Sequence, residues 1–503
     1  MPPMTPCTAA SNDPRSPAAR TSALLLVPGL LLFGAIWLVH LDYASLTPPA
    51  DNIEQLTWVN SLELGYNKHP PLPTWLLWLP VRLFGRSAWT SYVMGAATTL
   101  ASMGLLWHLM TRLRGHRHAT IALLATLCVT FYNGRLHYYN HNVVMMFFVT
   151  AAAALNWQAF TSRKLRWWAA LGLCLGLGAL AKYQMVLAMV ATVVFWAEQR
   201  GWRVPEQRRG LLLAALLALL VVAPHLRWLV DNDFAPIRYA LNSSLGAGLD
   251  LLSRMAGAAH WLLDQLFNRT LPAWLLLGLL AARAIYWRPA RADAPPLPLP
   301  AADASGKLLV CWGVLPLLLI TAAGVVSGAE LQLHWATAFL PLTVAAAMEP
   351  AVLRALWPRV PLPFALKVFV ALQGLLLLLS HLTSPHGPAR LQKQHWRNFD
   401  SAALARQIAP PARDLLGRRI RVVIGPAAHA GALSLQLPEH PVVLIDGRYD
   451  LSPWVEKNLV ERCGALELRI GAHGDDFRPV GNGFADLSWR VVMPTGKAGS
   501  CSD

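Results

Sequence analysis

Charged side chains are scarce in this sequence. Asp, Glu, Lys and Arg make up 14% of its 503 residues, where a soluble protein carries about a quarter. So few charges cannot coat a water-exposed surface, which excludes an ordinary soluble domain. Cysteine is thin as well: six residues, with no CxxC and no Cys/His pairing at metal-ligand spacing, which removes zinc-ribbon and dithiol redox classes. No glycine-rich loop of the kind that cradles a nucleotide phosphate is present, and no internal repeat divides the chain. The net charge of +16 comes without a nucleic-acid motif, so no nucleic-acid partner is expected.

What is present is apolar length. The composition is 55% hydrophobic with a mean hydropathy of +0.39, and Leu/Ala/Val/Trp runs recur along most of the chain, as in a polytopic α-helical membrane protein. The basic residues lie mostly in short loops between these runs, where they set orientation. Residues 1–21, Pro/Ser/Ala-rich, read as a disordered cytoplasmic N-terminus. Arg15 and Arg20 precede the first run at 22–41, and no small-x-small cleavage site follows it, so it reads as an uncleaved signal anchor. Further runs near 88–110, 119–136, 143–160, 167–181, 184–198, 211–230, 271–287, 308–328, 335–349 and 361–381 bring the expectation to about eleven transmembrane helices. Basic clusters flank both 119–160 and 167–198, so each is expected to cross twice, turning at "YNGRLHYYNHN" and "AKYQ". The Pro-rich segment 283–307 and "EPAVLRALWPR" fall on the same inner side.

An odd count puts the outer loop 42–87, the tips near 132–142 and 182–184, the loop 231–270, "SGAELQLHW" and the tail 382–503 outside. Transporters place ionisable groups near the midplane, often at broken helices. Here the unusual polar residues gather at one face, which favours an enzyme at the lipid–water boundary. The tail alternates short apolar runs with helical patterns and reads as a small α/β domain that binds an acceptor or caps the site. Its Asp446 and Asp450 fit a turn and a helix start. Cys128, Cys174 and Cys311 lie in apolar runs as small buried hydrophobes. Cys463 and Cys501 are free to pair if the tail is exported.

The outer loop carries the chemistry. In "ADNIEQLTWVNSLELGYNKHPPLPTW", residues 50–75, Asp51 and Glu54 form D-x-x-E, and apolar residues recur every third position from Ile53 to Leu62, as in a helix lying along the membrane surface. Asp at a helix N-cap with Glu at N3 is also a capping box, and on spacing alone that reading is preferred. The double proline adds something else: it holds Lys68 and His69 at a rigid corner. Cations held opposite a carboxylate at a membrane surface suit a lipid-phosphate substrate and a general base.

Asp51-Asn52 followed by "LELGYNKHPPLPTW" resembles the first outer loop of the bacterial glycosyltransferase family 39 enzymes, whose pattern is Asp-Glu, a spacer, then Gly-Tyr-x-x-His-Pro-Pro-Leu. These are relatives of protein O-mannosyltransferases and of the lipid A aminoarabinose transferase, within the GT-C superfamily. "LGALAKYQMVL" and "LQLHWATAFLPL" resemble two further segments of the family, and the resemblance runs from about residue 22 to 350. It implies a GT-C fold spanning 22–381 and a hexosyl or pentosyl donor on polyprenyl phosphate. It also implies inverting transfer to a lipid, glycan or protein acceptor at the outer face of a bacterial inner membrane. Asp51 would be the base, with Glu54 a candidate second carboxylate, because Asn52 replaces the family's second acid. Lys68, His69, Lys182 and Arg238 would meet the donor phosphate. His69 stands where the aminoarabinose transferase has a phosphate-contacting lysine; if protonated it would cost activity above a pKa near 6.5. His141 and Asn142 replace an aspartate of many relatives, so no obligatory metal or other cofactor is expected. His141, Asn142, His334 and Trp335 are candidate site-lining residues. The alternative is a transporter or flippase of lipid-linked sugars.

Overall fold

The computed structural model describes residues 17–245, 248–286, 303–392 and 395–471, all of 474–495 except 475, 482 and 485, and Cys501. Most of the N-terminal segment expected to be disordered, and most of the Pro-rich inner segment, lie outside these residues. The chain folds as a helical bundle with a small sheet at its C-terminal end.

The bundle begins with α1 (Pro17–Tyr43), α2 (Ala50–Trp58), α3 (Leu72–Phe84) and α4 (Ala88–Arg114). At 1.5 Å per residue the 27-residue α4 extends about 40 Å, enough to cross a hydrocarbon core of about 30 Å. Ser87 caps it, accepting from the Thr90 amide at 3.2 Å. Then come α5 (His116–Leu127), α6 (Thr130–Gly134), α7 (His141–Ser162), α8 (Leu165–Ala181), α9 (Val186–Glu198) and α10 (Pro205–Asp231). Gly172 and Gly176 allow α8 and α10 to touch backbone to backbone; a Cβ on Gly172 would sit 2.4 Å from the Ala214 carbonyl oxygen. Small residues four apart let membrane helices approach in this way.

The segment 231–270, expected as a loop, is largely helical, with α11 (Ala235–Ala240) and α12 (Leu251–Leu263). The bundle is completed by α13 (Leu271–Tyr286), α14 (Ala304–Gly313), α15 (Leu315–Ser327), α16 (Leu340–Ala347), α17 (Ala351–Arg354) and α18 (Leu362–Leu382).

The expected count of eleven spans is not reproduced. Among the described residues six helices are long and apolar enough to cross alone, and a seventh arises if the pair bent by 81° at 340–359 is one span. The run at 119–136 breaks after the 12-residue α5, whose residues 119–127 are almost wholly buried among neighbours. The 13-residue α3, which carries Pro73 and Pro80, is an apolar helix inside the expected outer loop. Hydropathy does not distinguish a short buried helix from a short spanning one.

The two ends of the bundle differ. At one, Arg114 at the end of α4 pairs with Asp303 (2.9 Å) and Glu349 (2.5 Å), binding α4 to the start of α14 and the end of α16. At the other lie α2, the start of α7 and the turn after α8.

The C-terminal part contains α19 (Ser401–Leu416), β1 (Val422–Gly425), α20 (Ala427–Gln436), β2 (Val442–Ile445), α21 (Leu459–Cys463), β3 (Ala465–Ile470), β4 (Arg478–Pro479) and β5 (Leu487–Val492). The sheet order is β2-β1-β3-β5-β4, parallel through β3 and antiparallel beyond. Leu404, Ile408 and Leu433 pack its core against Val423, Val443 and Leu466. Cys463 and Cys501 form a disulfide, while Cys128, Cys174 and Cys311 are buried and free. Helix α20 lies on α2: a Cβ on Gly431 would fall 2.3 Å from Ile53 Cγ2. Arg86 donates to Ser434 Oγ (3.0 Å), and Trp396 Nε1 donates to the Pro48 carbonyl (2.7 Å).

Candidate active site

Helix α2 is the centre of the site. Asn52, Ile53, Gln55, Leu56, Thr57 and Trp58 are buried, Asp51 is exposed and Glu54 is half-buried. The side chain at the family's second acidic position fastens the helix. Asn52 Nδ2 donates to Ser91 Oγ (2.9 Å) and the His137 carbonyl (2.8 Å), and its Oδ1 accepts from the Tyr139 amide (2.9 Å). Asn52 is therefore fully buried, and its side chain fastens α2 to its neighbours.

The capping-box alternative is not realised. Pro49 is the N-cap, with no side-chain cap bond. Asp51 Oδ2 instead accepts from Asn140 Nδ2 at 2.8 Å. Asn140 is immobilised in turn, because its Oδ1 caps α7 through the amides of Asn142 and Val143, both at 3.0 Å. Asp51 is thus an exposed carboxylate held by one amide, an arrangement open to a proton donor.

Glu54 faces Lys68, with Nζ–Oε2 at 2.5 Å. Burial raises the Glu54 pKa while Lys68 opposes the rise. Burial alone would lower Lys68, but the Glu54 carboxylate outweighs it and the pKa goes up, so the ammonium stays charged. Lys68 Nζ also lies 5.4 Å from the Tyr239 ring centroid. The corner expected at "NKHPP" is closed by a backbone pair, Tyr66 N to His69 O at 3.0 Å and His69 N to Tyr66 O at 3.3 Å. Behind it Trp58 stacks on Tyr66.

His69 lies 4.0 Å from His141, ring centroid to centroid. Burial, then His141, Lys182, Lys68 and His334, push its pKa well below 6.5. A protonated His69 is therefore corrected to a neutral imidazole, because a desolvated ring among cations does not take up a proton. Lys182 sits in the turn between α8 and α9, outside both helices, and is 8% exposed. Its Nζ donates to Asn142 Oδ1 at 2.6 Å. Burial pulls its pKa to about 7, with the Asp51 charge opposing.

His334 belongs to this group: the charges of Lys182, Arg135 and Arg269 act on it, and its segment is held by Trp261 Nε1 to Gln332 O (3.0 Å) and Gln265 Nε2 to Leu333 O (2.9 Å). Trp335 packs against the bundle core. Arg238 is not brought in: it lies exposed on α11, and its neighbour Tyr239 faces Lys68. Sequence reading missed Asn140, which hides in a polar and aromatic tip as one more turn residue; its place one residue before α7 was the available signal.

The acidic and imidazole side chains of the site are already engaged. Glu54 is paired with Lys68, the two imidazoles lie tilted against each other, and among the described residues no three His, Cys, Asp or Glu side chains converge.

Fold and site define a class: a multi-pass helical membrane protein with a small C-terminal sheet. The crystal structure of ArnT from Cupriavidus metallidurans bound to undecaprenyl phosphate superposes with a TM-score of 0.60, at 15% identity, covering 96% of this chain and all of that one. The same protein in the apo state gives 0.50 at 14% identity, covering 94% and 98%. The family model for dolichyl-phosphate-mannose-protein mannosyltransferases matches residues 68–228. The lipid A galacturonosyltransferase RgtD of Rhizobium johnstonii is 23% identical over 414 residues, 77% of this chain and 78% of that one. The resemblance to family 39 glycosyltransferases read from the outer loop is borne out.

Proposed function

We propose that this chain is an inverting glycosyltransferase that moves a hexosyl or pentosyl group from polyprenyl phosphate to a lipid acceptor at the outer membrane face. One observation carries the reading. An uncapped, exposed Asp51, held by Asn140, stands beside Lys68 and Lys182, on which its charge acts.

Asp51 takes the proton of an acceptor hydroxyl as that oxygen bonds to the anomeric carbon. The bond from that carbon to the phosphate oxygen breaks on the opposite face, and the lipid phosphate leaves with both electrons. Lys182 and Lys68 stabilise the charge growing on it, a contribution typically worth about 3–4 kcal/mol per well-placed donor. Neutral His69 and His141 contribute hydrogen bonds rather than charge. The engagement of the acidic and imidazole side chains described above supports turnover without an obligatory metal. The likeness to a protein bound to undecaprenyl phosphate supports the donor class, and the likeness to a lipid A galacturonosyltransferase supports a lipid acceptor. The basic end of the bundle at Arg114 supports a cytoplasmic inner end and an outward-facing site in a bacterial inner membrane.

Membranes given a labelled polyprenyl-phosphate sugar should yield labelled acceptor lipid. Asp51→Asn should remove the label while the protein accumulates normally. Translocation of the labelled donor without transfer would establish the flippase alternative instead, and turnover by the Asn variant would remove Asp51 from the mechanism.

A further inference from the structure

A pocket of about 110 Å³ is lined by Pro49, two residues before Asp51, and by neither Lys68 nor Lys182. It lies between the end of α1, the turn 134–138 and residues 395–397. We propose that this pocket binds an anionic group, a phosphate or carboxylate, carried by the acceptor. The inference rests on the reading of Asp51 as the base and says where the acceptor sits.

Four cationic or imidazole side chains, Arg135, His137, His395 and Arg397, line the pocket, and no carboxylate does. Arg135 lies over the Tyr138 ring, 5.3 Å from its centroid, and Arg397 Nη2 donates to Thr383 Oγ1 at 2.8 Å. Among the described residues both guanidinium groups meet neutral partners and no carboxylate. Three polar atoms of the lining have no hydrogen-bond partner among the described residues: Thr47 Oγ1, His137 Nδ1 and Arg397 Nε. Thr47 is 2% exposed and His137 4%. Buried polar groups are almost always satisfied, and a donor-only Arg397 Nε beside a hydroxyl and an imidazole nitrogen that can each donate is answered by an anion. Burial, then Arg135 and Arg397, hold the His137 pKa at about 3, so its ring is neutral and free to donate from one nitrogen.

The pocket lies near Asp51 through two of its lining residues. Pro49 lines it two residues before Asp51, and Tyr138 lines it two residues before Asn140, which holds the carboxylate. The charges of Arg135, Asp51 and Arg397 all act on Tyr138. His69, across the site, is acted on by His141, Lys182, Lys68 and His334 instead. A carboxylate whose charge reaches both sets suits a displacement in which the leaving group and the attacking oxygen lie on opposite faces of the sugar. The lysine set takes the donor phosphate, which leaves the arginine set for the acceptor.

The test is binding, measured without a sugar donor so that failure of Asp51 as base leaves the result readable. The probes are lipid A with both phosphates, the same lipid stripped of phosphate, the stripped lipid carrying a hexuronic acid, undecaprenyl phosphate, and phosphatidylglycerol. The full-length protein should prefer the phosphate- or uronate-bearing lipid over the stripped one by about tenfold or more, and the two charged forms separate the phosphate from the carboxylate source. Arg135→Gln and Arg397→Gln should reduce that preference to about twofold or less, with undecaprenyl phosphate binding retained. Thr47→Ala, a milder change, should lower it part of the way without unfolding risk. An undiminished preference in all three variants overturns the proposal. So does loss of undecaprenyl phosphate binding in the arginine variants, which would give the pocket to the donor. Equal competition by phosphatidylglycerol would give it to the bilayer and overturn it as well.

Discussion

Two residues of the site turn a charge pattern into chemistry, and both invite measurement. Lys182 is the first. With a pKa near 7 in the free enzyme, it is cationic below that pH and neutral above it. The kcat/KM for the donor should therefore fall as pH rises through about 7 to 8, since this parameter reports free-enzyme ionisations. Lys182→Arg does not titrate in this range and should flatten the basic limb. His69, already neutral, should leave no inflection near 6.5. The second residue is Glu54, whose carboxylate holds Lys68 at 2.5 Å. Glu54→Gln and Lys68→Gln should each lower kcat/KM, but together by less than the sum, with a coupling of about 1–3 kcal/mol in a double-mutant cycle. Strict additivity would mean that Glu54 acts on the substrate and not through Lys68.

At the scale of elements, α2 carries the site but does not hold itself in place. Asn52 ties it to α4 and to the turn before α7, Gln55 accepts from Thr74 of α3 at 2.8 Å, and α20 presses on Ile53. The C-terminal part therefore acts on the geometry of Asp51 through a helix contact. Gly431→Ala would place a methyl 2.3 Å from Ile53 Cγ2 and should lower kcat about tenfold or more, since small misplacements of a catalytic group are costly. Donor affinity should change little. Ile53→Ala in the same protein removes the obstructing methyl and should restore part of the rate. A Gly431→Ala enzyme of normal kcat would show that α20 merely covers α2.

For the whole molecule, the ends of the bundle are assigned by connectivity and the orientation by charge. Helix α7 leaves the site end at His141 and reaches Arg163–Arg166 at the other, and α8 returns to Lys182. The clusters at 112–118, 163–166 and 198–209 thus share the end opposite the site. Alkaline phosphatase fused after residue 60, 250 or 400 should be active, and fused after 116 or 205 inactive. An inactive fusion at 400 would place the C-terminal sheet and the site in the cytoplasm.

Membrane residence, the helical class and the outer-loop motif were legible in the sequence, because each rests on local composition: apolar length, basic loops, and Asp51 followed by a Lys-His-Pro-Pro corner. Composition also put a small α/β region in the tail and left Cys463 and Cys501 to pair. The span count was not legible, since α5 is apolar through burial among helices and α3 is short and proline-bearing. Nor was the choice between a capping box and a free carboxylate. D-x-x-E reads the same either way, and the decision lies with Asn140, which is 89 residues further along. The same holds for the arginine pocket, where residues 47, 135, 137 and 397 meet only because α1, the 134–138 turn and the segment after α18 converge on α2. Proximity between distant residues and the desolvation that comes with it are products of packing, and that is where the chemistry of Asp51, His69 and Lys182 was decided.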